Sequence, residues 1–408
     1  MESLSPSKNY RVLLIFFSCL LITFCMGSIH AFSTLIENIE LQINVGRMES
    51  SLIYSTGLIC VTVAVYLGHT IYRKLSQSLL ITLMAVFPLI GVLIINSNSW
   101  IGWIIGYGFF FGFSSGLGYG FSLYAVSSII SSKNLGLALG AISASYAFGA
   151  VIFSMLYPLL FSYFDFKTGY LVGVMILSIL VIIGLILFRL ANISLVTETK
   201  PISKNPSFTT KIIKLWLIFF LGVFAGLMII GHAVPIISSA GGSSTVAITT
   251  ISLMAFGSGI AGIYAGWLSD RFGCKRPILV ILIINSLALL SLLIFTSINL
   301  LLILLVLIAS LYGALIAIYP TLVNQIFGSD RSTWAYGRIF TSWGFAGLVS
   351  PSLAGWLFDQ YKNYNSSLLF ALILSIIAGL MIWSLKYDVN NSTQKPLKSS
   401  PKKYSSRI

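Results

Sequence analysis

Twelve long apolar stretches run along the chain, separated by short polar gaps. A bilayer core takes about 20 apolar residues per spanning helix. Lipid offers no hydrogen-bond partner, so each backbone amide must bond within its own helix. The pattern predicts spans over Val12–Leu35, Ser51–Tyr72, Ser78–Asn96, Trp100–Ile130, Leu135–Leu159, Gly169–Phe188, Ile212–Ile237, Thr245–Leu268, Ile278–Thr296, Leu300–Ile326, Tyr336–Phe358 and Ser367–Leu385. Short joining loops make most sequential helices antiparallel neighbours. Hydrophobic residues are 57% of the chain and charged residues 8%, too apolar for a soluble domain. The expected class is an all-α membrane protein with twelve transmembrane helices.

The charges between spans set an orientation, because cytoplasmic loops carry an excess of Lys and Arg. With the N-terminus inside, 21 of the 24 basic residues fall on the cytoplasmic face, leaving Arg47, Lys167 and Lys362 outside. This asymmetry supports an even span count with both termini cytoplasmic, as in a multi-pass protein of the cell inner membrane. The net charge of +14 is therefore spread over loops and a tail. That distribution speaks against nucleic acid as a partner and leaves the lipid bilayer as the surrounding partner. The first apolar run is too long for a cleaved signal segment. Cys19, Cys25, Cys60 and Cys274 lie in spans or a cytoplasmic loop, so no structural disulfide is expected.

The longest interior gap, rich in Lys, Ser, Thr and Pro, reads as a linker between two sets of six spans. The expected organisation is a bundle over 1–188, a linker over 189–211, a second bundle over 212–386 and a basic cytoplasmic tail over 387–408. Two echoes about 200 residues apart support a repeat. Met26-Gly-Ser-Ile-His30-Ala31 parallels Met228-Ile-Ile-Gly-His232-Ala233. After spans two and eight, Gly68-His-Thr-Ile-Tyr72-Arg73 parallels Gly266-Trp-Leu-Ser-Asp270-Arg271.

The segment from Gly266 through Asp270, Arg271 and Gly273 to Lys275 and Arg276 resembles the loop signature of the major facilitator superfamily. The resemblance implies two pseudo-symmetric six-helix bundles, usually in a monomer, with Gly266, Asp270, Arg271 and Gly273 as gating residues on the cytoplasmic side. Glycine permits close helix approach, and the Asp can face a helix N-terminus, where the macrodipole favours an anion. The first-half copy departs from the signature, because Tyr72 stands where the Asp belongs.

Further stretches resemble the oxalate/formate antiporter and monocarboxylate porter branch. These are Asn134 to Gly149 at the start of span five, and Tyr319-Pro320, Asn324 to Gly328, Tyr336-Gly337 and Ser350 to Asp359 in spans ten and eleven. Carriers of the oxalate type grip a dianion with one cation in span eight and one in span eleven. The matching positions here are Gly262 and Trp343, neither of which pairs with a carboxylate. The resemblance, so modified, implies a small organic monoanion or a neutral solute with an apolar body.

Ionisable groups inside spans are functional candidates. His30 and His232 come from the mirrored first and seventh spans, and imidazole can bind an anion and carry a proton. Each could equally be a satisfied histidine in helix packing. Arg338 offers a five-donor fork for an anion, or snorkels to the headgroups. Tyr119, Tyr146 and Tyr312 match aromatic positions of the oxalate-type cavity, and Trp343 would cap the pocket; all four are also compatible with plain helix packing. No nucleophile–base arrangement, P-loop or clustered metal ligands appear, so no enzyme activity, cofactor or metal is expected.

The expected function is secondary transport of a small organic monoanion, monocarboxylate-like, by alternating access and with possible proton coupling. The alternatives are an exporter of amphipathic compounds and a transporter-like sensor that binds without moving its ligand.

Overall fold

The computed structural model describes residues 8–193, 195, 206–295 and 297–385. Every regular element among them is helical. The first span is α1 (Lys8–Gly27), a 3-10 stretch (Ser28–Thr34) and α2 (Ile36–Ile43). Spans two and three are α3 (Arg47–Lys74) and α4 (Gln77–Ile95). The fourth is α5 (Trp100–Trp103), a π-helical stretch (Ile104–Phe111) and α6 (Gly112–Ile129). Then come α7 (Leu135–Tyr163), α8 (Phe166–Ala191), α9 (Pro206–Ser239), α10 (Ser244–Phe272), α11 (Lys275–Ile294), α12 (Ile298–Phe327), α13 (Ser329–Tyr361) and α14 (Asn365–Ser384).

Eleven of the predicted spans are long and apolar enough to cross a membrane on length and composition. The remaining one, α13, has the length but not the hydropathy. It carries Asp330, Arg331, Arg338 and Asp359 and is rich in Gly and Ser. Its partners explain this composition: α13 packs on α9 within its own half and on α3 of the other half, so much of its surface faces protein.

Helix ends follow the sequence. Ser76, Ser99, Asp165 and Ser243 accept a hydrogen bond from the backbone amide three residues on, starting α4, α5, α8 and α10. Gly273 (φ +71°) and Gly328 (φ +76°) supply the left-handed turns that end α10 and α12. The first bundle is built from α1 against α6, α7 and α8, with α3 on α6 and α4 on α8. The second packs α9 against α12, α13 and α14, with α10 on α12 and α11 on α14. The bundles meet where α7 crosses α10 and α12, and where α3 crosses α13.

The outer surface is apolar, with Ile179, Ile183 and Ile186 of α8 and Ile373, Ile376 and Leu380 of α14 exposed. Such a surface is stable in lipid rather than water, and this is a multi-pass membrane protein. One end of the bundle carries Arg73, Lys74, Lys133, Arg189, Lys275 and Arg276 at its helix ends and is termed the basic face. Of the expected linker, α8 occupies the start and α9 the end; the tail over 387–408 lies outside the described residues.

Candidate functional site

The first span does not cross as one regular helix, and the reason is local hydrogen-bond chemistry. Ser28 Oγ donates to the Cys25 carbonyl (2.5 Å) and Thr34 Oγ1 to the Ala31 carbonyl (2.8 Å). Two hydroxyls from the fourth span take further carbonyls: Ser115 that of Met26 (2.9 Å) and Tyr107 that of Ile29 (2.6 Å). Hydroxyls that occupy helix carbonyls bend or loosen the regular ladder, and here seven residues tighten into 3-10 geometry. His30 sits in that stretch.

His30 is half-buried, and its Nδ1 lies 2.6 Å from the Tyr54 hydroxyl of α3. Nε2 makes no hydrogen bond to a described residue. The imidazole meets the Tyr146 ring edge-on at 5.4 Å. Backbone contact brings α1 and α7 together here: a Cβ on Gly27 would overlap the Tyr146 carbonyl, and one on Gly149 the Phe24 carbonyl. Tyr146 then donates its proton to Ser115 Oγ (2.9 Å), because the Ser115 proton is already given to Met26. Tyr119 packs on Tyr146 at 5.1 Å and reaches Ser143 Oγ at 3.3 Å.

The second bundle faces this cluster with rings. Phe340 of α13 lies 5.9 Å from Tyr119 and stacks on Trp343 at 5.0 Å. Trp343 Nε1 donates to the Tyr312 hydroxyl of α12 (2.8 Å). The Tyr312 oxygen is thus an acceptor, and its own proton has no acceptor among the described residues. Tyr312 also lies within electrostatic range of Tyr54, Tyr146 and Tyr119. His30, Tyr119, Tyr146, Tyr312 and Trp343 are therefore brought together at mid-depth, across both bundles.

His232 and Arg338 stand apart from that group. His232 Nε2 donates to the Pro351 carbonyl (2.9 Å), and Nδ1 meets the Tyr364 hydroxyl (3.1 Å). Both ring nitrogens are satisfied within the second bundle, and no contact joins this imidazole to His30. The echo in sequence is not an echo in backbone, since His232 lies in continuous α-helix. Arg338 sits over the Trp334 ring (3.9 Å) and the Tyr66 ring of α3 (5.3 Å), and donates to the Trp334 carbonyl (3.2 Å). It spans the two bundles beside Gly337, where an added Cβ would overlap the Val65 carbonyl.

The gating candidates form the other crossing. Asp270 accepts from the backbone amides of Gly136 (2.6 Å) and Leu137 (2.7 Å) at the start of α7. A Cβ on Gly266 would overlap the Gly136 carbonyl, so only glycine lets α10 approach α7 this closely. Arg271 lies over the Trp267 ring at 4.1 Å, on its own helix. In the first half, Tyr72 donates instead to the Leu117 carbonyl (3.1 Å) and stacks on Tyr124. Between Tyr72, Asn324, Ser332 and Tyr336 there is a cleft of about 20 Å³, room for one water and no more. Close contacts between the bundles thus run from the basic face, at Gly136 and Gly266, to the level of the aromatic group, at Phe148 and Gly259.

Sequence reasoning missed Tyr54 and Tyr107. Neither is ionised or part of a motif. The glycines Gly106 and Gly108 lie on a buried stretch around Tyr107, but nothing local marks either hydroxyl.

Comparison with known proteins agrees with this fold. The Major Facilitator Superfamily model matches residues 215–407. The chain is 24% identical over 297 residues to the oxalate:formate antiporter of Oxalobacter formigenes, covering 70% of each. It is 28% identical over 157 residues to monocarboxylate transporter 12 of Xenopus laevis, covering 36% of this chain and 34% of that one. The major facilitator superfamily transporter FucP, solved in its outward conformation, superposes with a TM-score of 0.72 at 13% identity, covering 91% of this chain and 99% of FucP. The chain therefore has the fold of major facilitator superfamily transporters, and its second half matches that superfamily's model.

Proposed function

We propose that this protein moves a small organic monoanion, monocarboxylate-like, by alternating access between its two bundles. The basic face is cytoplasmic in this reading, the membrane is the cell inner membrane, and the described state is closed on that side. His30 carries the proposal. Its Nδ1 is tied to Tyr54, while its Nε2 has no partner among the described residues and sits beside the aromatic cluster. Tyr54 can donate to neutral imidazole or accept from imidazolium, so the ring stays oriented in both protonation states. Either way an Nε2–H is available to a carboxylate from the first bundle. The free Tyr312 proton offers a second donor from the other bundle. A bound carboxylate would bridge the two and favour their closure.

The positions matching the cations of oxalate-type carriers are Gly262 and Trp343, which supports one carboxylate rather than two. Protonation of His30 on binding would neutralise the anion before it crosses, which supports proton coupling. The names of two relatives, an oxalate:formate antiporter and a monocarboxylate transporter, support the same substrate class.

The test is counterflow of radiolabelled lactate in proteoliposomes, with formate, acetate and oxalate as competitors. Monocarboxylates should exchange and oxalate should not compete. A charged hydrogen bond is worth about 1.5–3 kcal/mol, so His30→Gln should weaken apparent affinity about 10- to 100-fold, with His232→Gln unchanged. Absence of counterflow with every monocarboxylate, or wild-type behaviour of His30→Gln, overturns the proposal. Binding without exchange would favour a sensor.

A further inference from the structure

The structure assigns Tyr107 as the residue that positions His30, through the carbonyl of Ile29; this rests on the proposed role of His30 but is tested apart from it. Tyr107 lies in the π-helical stretch of the fourth span, directly opposite the 3-10 stretch of the first. The two irregular segments meet through one hydrogen bond, from the Tyr107 hydroxyl to the Ile29 carbonyl. Ile29 precedes His30, so this bond fixes the peptide plane from which the imidazole projects. Phe32 closes the arrangement: its ring packs on Tyr107 at 4.9 Å and stacks on Tyr54 at 5.3 Å, with only 13° between planes. Tyr54 in turn holds Nδ1. His30 is therefore clamped from two sides, at its backbone by Tyr107 and at its ring by Tyr54.

The alternative geometry is near. A 3-10 helix turns about 120° and rises about 2.0 Å per residue, against about 100° and 1.5 Å in an α-helix. Were Ser28–Thr34 to become regular α-helix, the His30 side chain would swing by about 60° relative to α1, and the stretch would shorten by about 3.5 Å. Regular α-helix would require the Ile29 carbonyl to bond the amide four residues on. With its hydroxyl in place, Tyr107 competes for that acceptor. A mid-span 3-10 stretch and a π stretch are each uncommon and recur at working sites; their contact here is on the span that carries His30.

The decisive measurement reads geometry and needs no substrate. In a background with all four cysteines replaced, a His30→Cys reporter is labelled by a membrane-impermeant methanethiosulfonate from the side opposite the basic face. Tyr107→Phe keeps the ring and deletes the hydroxyl. It should change the labelling rate at least fivefold, and should speed amide exchange over residues 28–34 while α7 and the second bundle stay protected. Tyr157→Phe is the control, because the Tyr157 hydroxyl is buried and has no hydrogen-bond partner among the described residues; it should leave the rate within twofold. An unchanged rate in Tyr107→Phe overturns the assignment, and so does loss of protection throughout both bundles, which would make Tyr107 a general packing residue. With His30 present, Tyr107→Phe should also raise the lactate KM and move the pH midpoint of uptake. If lactate is not carried at all, the substrate proposal fails while the labelling result still decides the role of Tyr107.

Discussion

Replacing Asp270 by asparagine tests how the bundles are held together at the basic face. The carboxylate accepts two short hydrogen bonds, 2.6 and 2.7 Å, from the first free amides of α7. Charged hydrogen bonds contribute about 1.5–3 kcal/mol, and an anion at a helix N-terminus about 0.3–2 kcal/mol. Asparagine keeps one neutral acceptor, and Asp270 is only half-buried, so the low end applies: about 2 kcal/mol lost. That is close to a 30-fold shift between closed and open basic faces. A protein held about 99:1 in the closed state would then open about one-quarter of the time. Ser127 lines the small cleft beyond this gate and is itself buried, so it reports opening. In a cysteine-free background, Ser127→Cys in vesicles exposing the basic face should react with an impermeant maleimide well over tenfold faster when Asp270→Asn is added. A labelling rate within twofold of the parent would refute the idea that this contact biases the equilibrium.

Gly266→Ala should act in the same direction. Its Cβ would collide with the Gly136 backbone, which cannot rotate away, and overpacking of this kind costs about 1–3 kcal/mol; the Ser127→Cys reporter should again label faster. His232→Ala should lower the melting temperature, because it leaves the Pro351 carbonyl without its side-chain donor. The apparent affinity for lactate should stay within twofold in the same protein.

The fold was legible because each span must be apolar over a fixed length, and that constraint is written one residue at a time. The single helix that fell short, Ser329–Tyr361, did so because it is mostly enclosed by protein and need not be apolar all round. The gate was readable for a related reason: Gly266 and Asp270 answer to a backbone at fixed distance, and few residue types can do so. The histidines show the limit. His30 and His232 sit in similar words of sequence, yet their surroundings are decided by Tyr54 and Tyr146 in one case, and by Pro351 and Tyr364 in the other. Those partners are up to 132 residues away. A hydroxyl on a remote helix leaves no trace in the local pattern, so Tyr54 and Tyr107 emerge only when the helices are packed.

The Asp270 contact has a practical corollary for handling the protein. Its donors are main-chain amides rather than a mobile lysine or arginine, and deeper between the bundles neutral rings meet, Tyr119 against Phe340. Dissolved ions weaken attraction between separated solvent-exposed charges over a Debye length of about 8–10 Å, but they have little purchase on a carboxylate pressed against a peptide backbone or on stacked aromatics. Purification in concentrated sodium chloride should therefore leave the resting conformation as it is, where a latch built from exposed opposite charges would slip.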